Sequence, residues 1–345
     1  MRNLFVCHTQ AHLILACGLS QGRFKNDENH LVLFRDFNLG DEMKGKLEAF
    51  YASTLFLTGI YPAPNKTWKA RLRWYKEDNR LIKEYIDKPY DRVFAVCDWY
   101  PPVQYCLKCC KRQSNDTQFV WLEDGIIAYF QNAKIHKGTD QYAFTLYLRK
   151  IFFKYILGMG SVYARDFEEM GGLKLFHQMY TLYPEAVREQ YRSTRELVGI
   201  TEDEYLAGVN TLYEARDLNI PDGSILLVMD KLDTYSYPDK VKNSVVKLKK
   251  KAITEGRQVF CKFHPREENV WPVFDDCTIL EKTIGAESLY LSLAEQRGAI
   301  EIFGIKSAGL MSARKMGFKV SSLFNECGEE NEELCIFFKQ IDISL

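Results

Sequence analysis

Four short stretches set residues capable of acid–base or anion chemistry where an apolar run ends. In Trp121-Leu122-Glu123-Asp124-Gly125, two adjacent carboxylates follow an apolar run, and Gly125 is free to take a positive φ. Adjacent carboxylates repel and partial burial raises a pKa, so one of them could act as a general base. Asp-Gly is also a common turn pair, which leaves an ordinary strand-ending turn as the other reading. In Lys262-Phe263-His264-Pro265-Arg266, two cations flank an imidazole and Pro265 fixes the backbone after it. That set suits a phosphate, with His264 donating a proton or hydrogen bond to a leaving group; a structural histidine in a basic loop is the alternative. Gly304-Ile305-Lys306-Ser307-Ala308-Gly309 opens a helix with small residues and a hydroxyl. Its backbone N–H groups can hold an anion, or Ser307 can simply cap the helix. His8-Thr9-Gln10-Ala11-His12 joins the first strand to the first helix, and capping is favoured there over ligand contact.

The elements that must position these stretches alternate short apolar runs with longer helical patterns, as α/β domains do. Strands are expected at residues 4–7, 30–34, 54–57, 92–97 and 118–122, with helices at 11–20, 42–51, 66–86 and 103–111. Residues 141–157 and 185–209 read as helices, the first aromatic and the second polar. Asn219-Ile220-Pro221-Asp222-Gly223 is a turn-rich break, after which the pattern restarts with strands at 224–229, 258–263, 277–280, 299–304 and 319–324. Helices are expected between them at 239–254, 286–297 and 307–316, and at 330–341. The expected architecture is therefore α/β, with two Rossmann-like domains, 1–218 and 219–345. In such sheets ligands sit beyond the carboxyl ends of the strands, where the four stretches fall.

Length, at 345 residues, suits two domains. With 46 basic and 46 acidic side chains the formal charge is zero, which argues against general nucleic-acid binding. The ten cysteines lack zinc-ribbon spacing, and Cys7, Cys17, Cys97 and Cys261 lie in apolar runs as reduced thiols do. A reducing cytoplasmic setting is expected, with no metal site, no signal peptide and no membrane span. There is no P-loop, no Gly-x-Gly-x-x-Gly after the first strand, and no Asp-x-Asp.

Taken in order, the Glu123-Asp124-Gly125 turn, the His264-Pro265 pair and the helix opening at Ser307 resemble the bacterial sialyltransferases of GT-B architecture. The resemblance is to glycosyltransferase family 52, the lipooligosaccharide and capsule sialyltransferases, with the bacterial polysialyltransferases as close relatives. Leu4-Phe5-Val6-Cys7-His8-Thr9-Gln10 also looks like their first strand and loop. The resemblance implies a GT-B fold, two Rossmann-like domains facing a central cleft, with the acceptor on the first and a CMP-sugar on the second. It implies Asp124 as the base on an acceptor hydroxyl and His264 as the group assisting CMP departure, with Pro265 shaping the loop. Ser307 and the N–H groups from Ala308 onward would hold the phosphate, Lys262 would lie near the nucleotide, and Glu287 would bind ribose hydroxyls. Thr9, Gln10, Glu123 and Gly125 are candidate substrate contacts. Some relatives carry two serines where this chain has Ser307-Ala308, which leaves more of the phosphate to the backbone.

The implied reaction is metal-independent, inverting transfer of sialic acid from CMP-sialic acid, with no cofactor, to a galactose-terminated bacterial surface glycan. Another nucleotide sugar, polysialic acid synthesis and an inert interaction scaffold are the competing readings. Residues 145–156 and 68–75 mix aromatics with Arg and Lys, as stretches lying on the inner membrane do, although core helices with snorkelling cations read the same way. A homodimer is left open.

Overall fold

The computed structural model describes residues 1–59, 68–130, 148, 151–156 and 171–345. It divides into two compact units, Met1–Leu212 and Tyr213–Leu345. The division lies ahead of the 219–223 turn because the intervening segment bonds into the second unit. The Arg216 N–H donates to Ser292 Oγ at 2.9 Å, and Gln296 Nε2 donates to the Ile220 carbonyl at 2.9 Å.

The first unit runs β1 (Arg2–Cys7), α1 (Gln10–Gln21), β2 (Glu28–Arg35), α2 (Asp41–Phe50), β3 (Ser53–Thr58), α3 (Trp68–Tyr85), β4 (Arg92–Ala95), α4 (Pro101–Gln113) and β5 (Gln118–Leu122). It continues with β6 (Gln178–Thr181), the short α5 (Glu189–Arg192), β7 (Glu196–Gly199) and α6 (Glu202–Leu212). The sheet is seven-stranded in the order β3-β2-β1-β4-β5-β6-β7, and its described pairs are all parallel. Central strands of such a sheet are covered on both faces, so they read as unbroken apolar runs. Leu4, Phe5, Val6 and Cys7 are fully buried, and Phe5 stacks on Phe94 with centroids 4.6 Å apart.

Two stretches differ from expectation. The polar segment 185–209 is not one helix but β7 between α5 and α6, and β6 precedes it. The expected helix over 141–157 and the basic aromatic stretch 145–156 lie largely outside the described residues; Phe152–Ile156 forms a π-helical turn. On α3, Leu72 and Tyr75 are partly buried, and Tyr75 contacts the Tyr100 ring at 5.8 Å, so this part of the 68–75 stretch packs inward. No helix among the described residues is long and apolar enough to cross a membrane.

α1 is held by a close backbone contact with α6. A methyl group on Gly18 would lie 2.0 Å from the Glu204 carbonyl oxygen, and one on Gly208 would lie 1.9 Å from that of Ile14. Only hydrogen fits at either position, so α1 sits with its backbone directly against that of α6.

The second unit runs β8 (Ile225–Val228), α7 (Pro238–Thr254), β9 (Val259–Lys262), β10 (Thr278–Ile279), α8 (Ala286–Ser292), β11 (Glu301–Gly304), α9 (Ala308–Lys315), β12 (Lys319–Ser322) and α10 (Glu332–Gln340). Its sheet is five-stranded and parallel, in the order β10-β9-β8-β11-β12. The strand order reverses between β1 and β4 in the first sheet and between β8 and β11 in the second. Those reversals open a crevice at the carboxyl ends, where α/β sheets bind ligands.

Candidate functional site

In the first unit, the ends of β1, β4 and β5 bring titratable groups together around Asp124. Its Oδ1 lies 2.9 Å from His12 Nε2, and the Cys97 thiol donates to Oδ2 at 3.3 Å. His12 is the third residue of α1. Its Nδ1 accepts from the backbone N–H groups of His8 and Thr9, each at 3.3 Å. A nitrogen that accepts carries no proton, so the His12 proton sits on Nε2 and points at Asp124. Burial alone would raise the Asp124 pKa, but the His12 imidazole and Cys97 thiol outweigh it and hold the carboxyl below its usual range. Asp124 keeps 18% of its side chain exposed, against 3% for His12. It is an ionised carboxylate with solvent access, which a general base requires.

Cys97 adopts φ 48°, a left-handed conformation that side chains seldom take, and this brings its thiol onto Asp124. Burial, then the facing Asp124, push that thiol up, so it serves as a proton donor rather than a nucleophile. Beside this group, His8 Nδ1 lies 2.8 Å from Asp36 Oδ2, and its buried Nε2 has no partner among the described residues. Burial lowers the His8 pKa despite Asp36, and the ring stacks on Phe34.

The neighbouring carboxylate has a different position. Glu123, expected as a candidate substrate contact, is 1% exposed, and its Oε2 accepts from Tyr129 Oη, from Thr181 Oγ1 at 2.7 Å and from the Leu182 N–H at 2.7 Å. Burial, then the facing carboxylate, keep Tyr129 protonated as a donor. Glu123 thus ties β5 to the end of β6. Glu123→Ala is expected to destabilise the protein by about 3 kcal/mol, since each buried donor left unpaired costs about 1–3 kcal/mol. Urea melting checks this, and an unchanged midpoint would contradict it. Gly125, at φ 61°, starts the 3₁₀ turn Gly125–Tyr129. Thr9 caps α1, its Oγ1 accepting from the His12 N–H, and half-buried Gln10 is the first residue of that helix.

In the second unit, a cavity of about 1050 Å³ opens at the ends of β8, β9 and β11, with Asp230, Tyr235, His264, Arg266, Trp271 and Lys306 in its wall. His264 Nδ1 accepts from the Arg266 N–H at 3.1 Å, which leaves the proton on Nε2. Burial first, then Arg266, lower the His264 pKa, with Asp230 opposing them. Pro265 is exposed in the same wall. Asp230 ties the switch point together, accepting from the Lys306 N–H at 3.3 Å and from Tyr235 Oη at 3.2 Å.

Lys262 is buried and spends donors on the carbonyls of Phe263 at 2.6 Å and Lys282 at 3.1 Å, so its ammonium braces the loop that carries His264. Ser307 caps α9, its Oγ accepting from the Gly309 N–H at 3.2 Å, and Ala308 is exposed at the first helical position. Glu287, in the first turn of α8, accepts from Ser312 Oγ at 2.9 Å. The hydroxyls of Tyr213 and Tyr290, both close enough to Glu287 to feel its charge, are buried without a partner among the described residues. Among the described residues no three His, Cys, Asp or Glu side chains converge as a metal site would need.

Sequence reasoning singled out Asp124 and His264, placed His12 in a stretch where capping was favoured without linking it to Asp124, and missed Cys97 and Asp230. The spacing Thr9-x-x-His12 is that of a capping box with histidine in the usual Glu or Gln place, a signal for the helix start. Its second bond, to a residue 112 positions away, has no local signature.

Comparison with known proteins extends this. Over most of its length the chain resembles the GT-B domain of a sialyltransferase from Photobacterium damselae, with TM-score 0.53, 14% identity, and 99% of this chain and 97% of that one covered. It also resembles a putative UDP-N-acetylglucosamine 2-epimerase from Listeria monocytogenes, with TM-score 0.57, 11% identity and coverages of 100% and 83%. The epimerase of Methanocaldococcus jannaschii gives TM-score 0.53, 10% identity and coverages of 100% and 93%. At these identities the likeness shows the fold, which is of GT-B type. No curated protein sequence matches the chain. A profile of the alpha-2,8-polysialyltransferase family, however, matches residues 3–319, nearly the full length. The chain belongs to the alpha-2,8-polysialyltransferase family, and is a glycosyltransferase of that kind.

Proposed function

We propose that this protein transfers sialic acid from CMP-sialic acid to a glycan hydroxyl, with inversion and without a metal, and that a sialic acid-terminated chain is its acceptor. The observation that carries the reading is the protonation pattern of the two strand-end groups. Asp124 is held as an accessible carboxylate, and His264 keeps its proton on Nε2 in the wall of a cavity. Direct displacement at an anomeric carbon needs one base for the incoming hydroxyl and charge stabilisation for the leaving phosphate. Asp124 takes the acceptor proton while His264 donates to the departing CMP phosphate. The N-terminus of α9 with the Ser307 hydroxyl supplies the remaining anion stabilisation. CMP carries one phosphate, which this set can neutralise without a divalent cation. Glu287 is assigned to the ribose hydroxyls.

The family description favours an α-2,8-linked sialic acid chain as acceptor over the galactose-terminated glycan that the resemblance read from the sequence implies. Incubation with CMP-sialic acid and either a labelled α-2,8 oligosialoside or a labelled lactoside separates the two. Transfer to the oligosialoside, unaffected by EDTA, is expected, together with a rise in melting temperature on adding CMP. Neither transfer nor donor hydrolysis in any arm would sink the proposal.

A further inference from the structure

We infer that His12 is a positioning residue for Asp124, a hydrogen-bond donor locked in one tautomer by the backbone at the start of α1. The inference rests on the reading of Asp124 as the base and adds to it the residue that fixes which way that base faces. Three observations converge. The N–H groups of His8 and Thr9 both point at Nδ1, so a proton there would meet two donors head-on. The ring edge opposite is 2.9 Å from Asp124 Oδ1, so the remaining proton is spent on that oxygen. The ring itself is buried, and its helix is pinned to α6 through Gly18 and Gly208, which leaves it little room to turn. Cys97 holds the other oxygen of the same carboxylate at 3.3 Å. Asp124 is thus gripped from two sides, its side-chain torsion fixed before any acceptor arrives. Such pre-orientation is what positions a base for proton removal.

A donor fixed in this way is not a proton relay. Nδ1 is occupied, so a proton taken by Asp124 cannot pass through His12 to solvent, and it leaves from the carboxylate itself. The same bond favours the ionised form of Asp124. The groups that face Asp124 are His12 on α1, His8 at the end of β1, and Cys97 and Asp98 after β4, with Asp36 beyond β2 also close to Cys97. Of these, His12 and Cys97 bond it directly.

The test combines variants with a spectroscopic measurement. Nitrogen-15 shifts of His12 in the full-length protein are expected to show the Nε2–H tautomer. His12→Ala should lower kcat by roughly 10–10²-fold with little change in KM for CMP-sialic acid. Without His12, burial of Asp124 is opposed by less, so its pKa rises and the acid limb of the kcat/KM profile moves to higher pH. His12→Gln, whose amide can donate to Asp124, should restore part of both, and it stands in if the alanine variant does not fold. An Nδ1–H tautomer, or an acid limb unmoved in His12→Gln and His12→Ala while Asp124→Asn is inactive, overturns the role of His12 alone. Full activity in Asp124→Asn overturns the assignment of the base, whatever the tautomer.

Discussion

Asp124→Asn is expected to lower sialyl transfer by roughly 10²–10⁴-fold while fold and response to CMP are kept. Asparagine has the same shape, and its carbonyl can still accept from His12 Nε2, so the cluster at the ends of β1, β4 and β5 has no reason to collapse. What disappears is the proton acceptor. In the proposed mechanism activity requires the ionised carboxylate, and its lowered pKa places the expected loss of activity below the ordinary carboxylate range as pH falls. In the variant, that limb should vanish along with most of the rate. Initial rates across acid to neutral pH, with thermal melting with and without CMP, check both halves. Near-wild-type rates would remove Asp124 from the mechanism.

His264→Gln should cost roughly 10²–10³-fold, the usual consequence of deleting one group that stabilises a developing anion. The cause differs from that in Asp124→Asn. Burial and Arg266 hold the His264 pKa below its ordinary value, so at neutral pH the ring offers one proton, on Nε2. In the proposed mechanism that proton goes to a phosphate oxygen, whose negative charge grows as the sugar departs. Glutamine keeps a polar side chain on the loop but not the rigid ring that the Arg266 N–H orients. Both kcat and the CMP-induced rise in melting temperature should fall, whereas Asp124→Asn alters kcat alone. A His264→Gln enzyme with normal turnover would refute the leaving-group role.

Much of the fold was legible in the chain. The covered strands of both sheets announce themselves as apolar runs, and β1, β2, β4, β5, β8 and β9 lie close to where those runs predict them. β6 and β7 do not. They are four residues each and carry Gln178 and Glu196 at their starts; β7 falls inside the stretch 185–209 that reads as a polar helix, and β6 lies just ahead of it, where no element is expected. β6 is a strand because β5 offers an unpaired edge, with Trp121 opposite Met179 and Leu122 opposite Tyr180, and β7 adds in turn to the edge of β6. That edge is a property of the assembled sheet, and no window of sequence contains it.

The candidate site divides in the same way. From residue types alone, Glu123-Asp124-Gly125 and His264-Pro265 stood out at the ends of strands, and the chemistry of a base and a leaving-group donor followed from them. Residue types alone did not apportion the two carboxylates; only the family resemblance pointed to Asp124. Successive side chains at a strand end point to opposite sides, so the two carboxylates meet different neighbours. Which neighbours those are depends on the strand order. With β6 beside β5, Glu123 finds Thr181 and Leu182, and is consumed as a tie. With β1 two strands away and α1 pinned by Gly18 and Gly208, Asp124 finds His12 across a gap of 112 residues and is kept ionised. Residue chemistry determined what these groups are able to do; long-range packing decided which of them is left to do it.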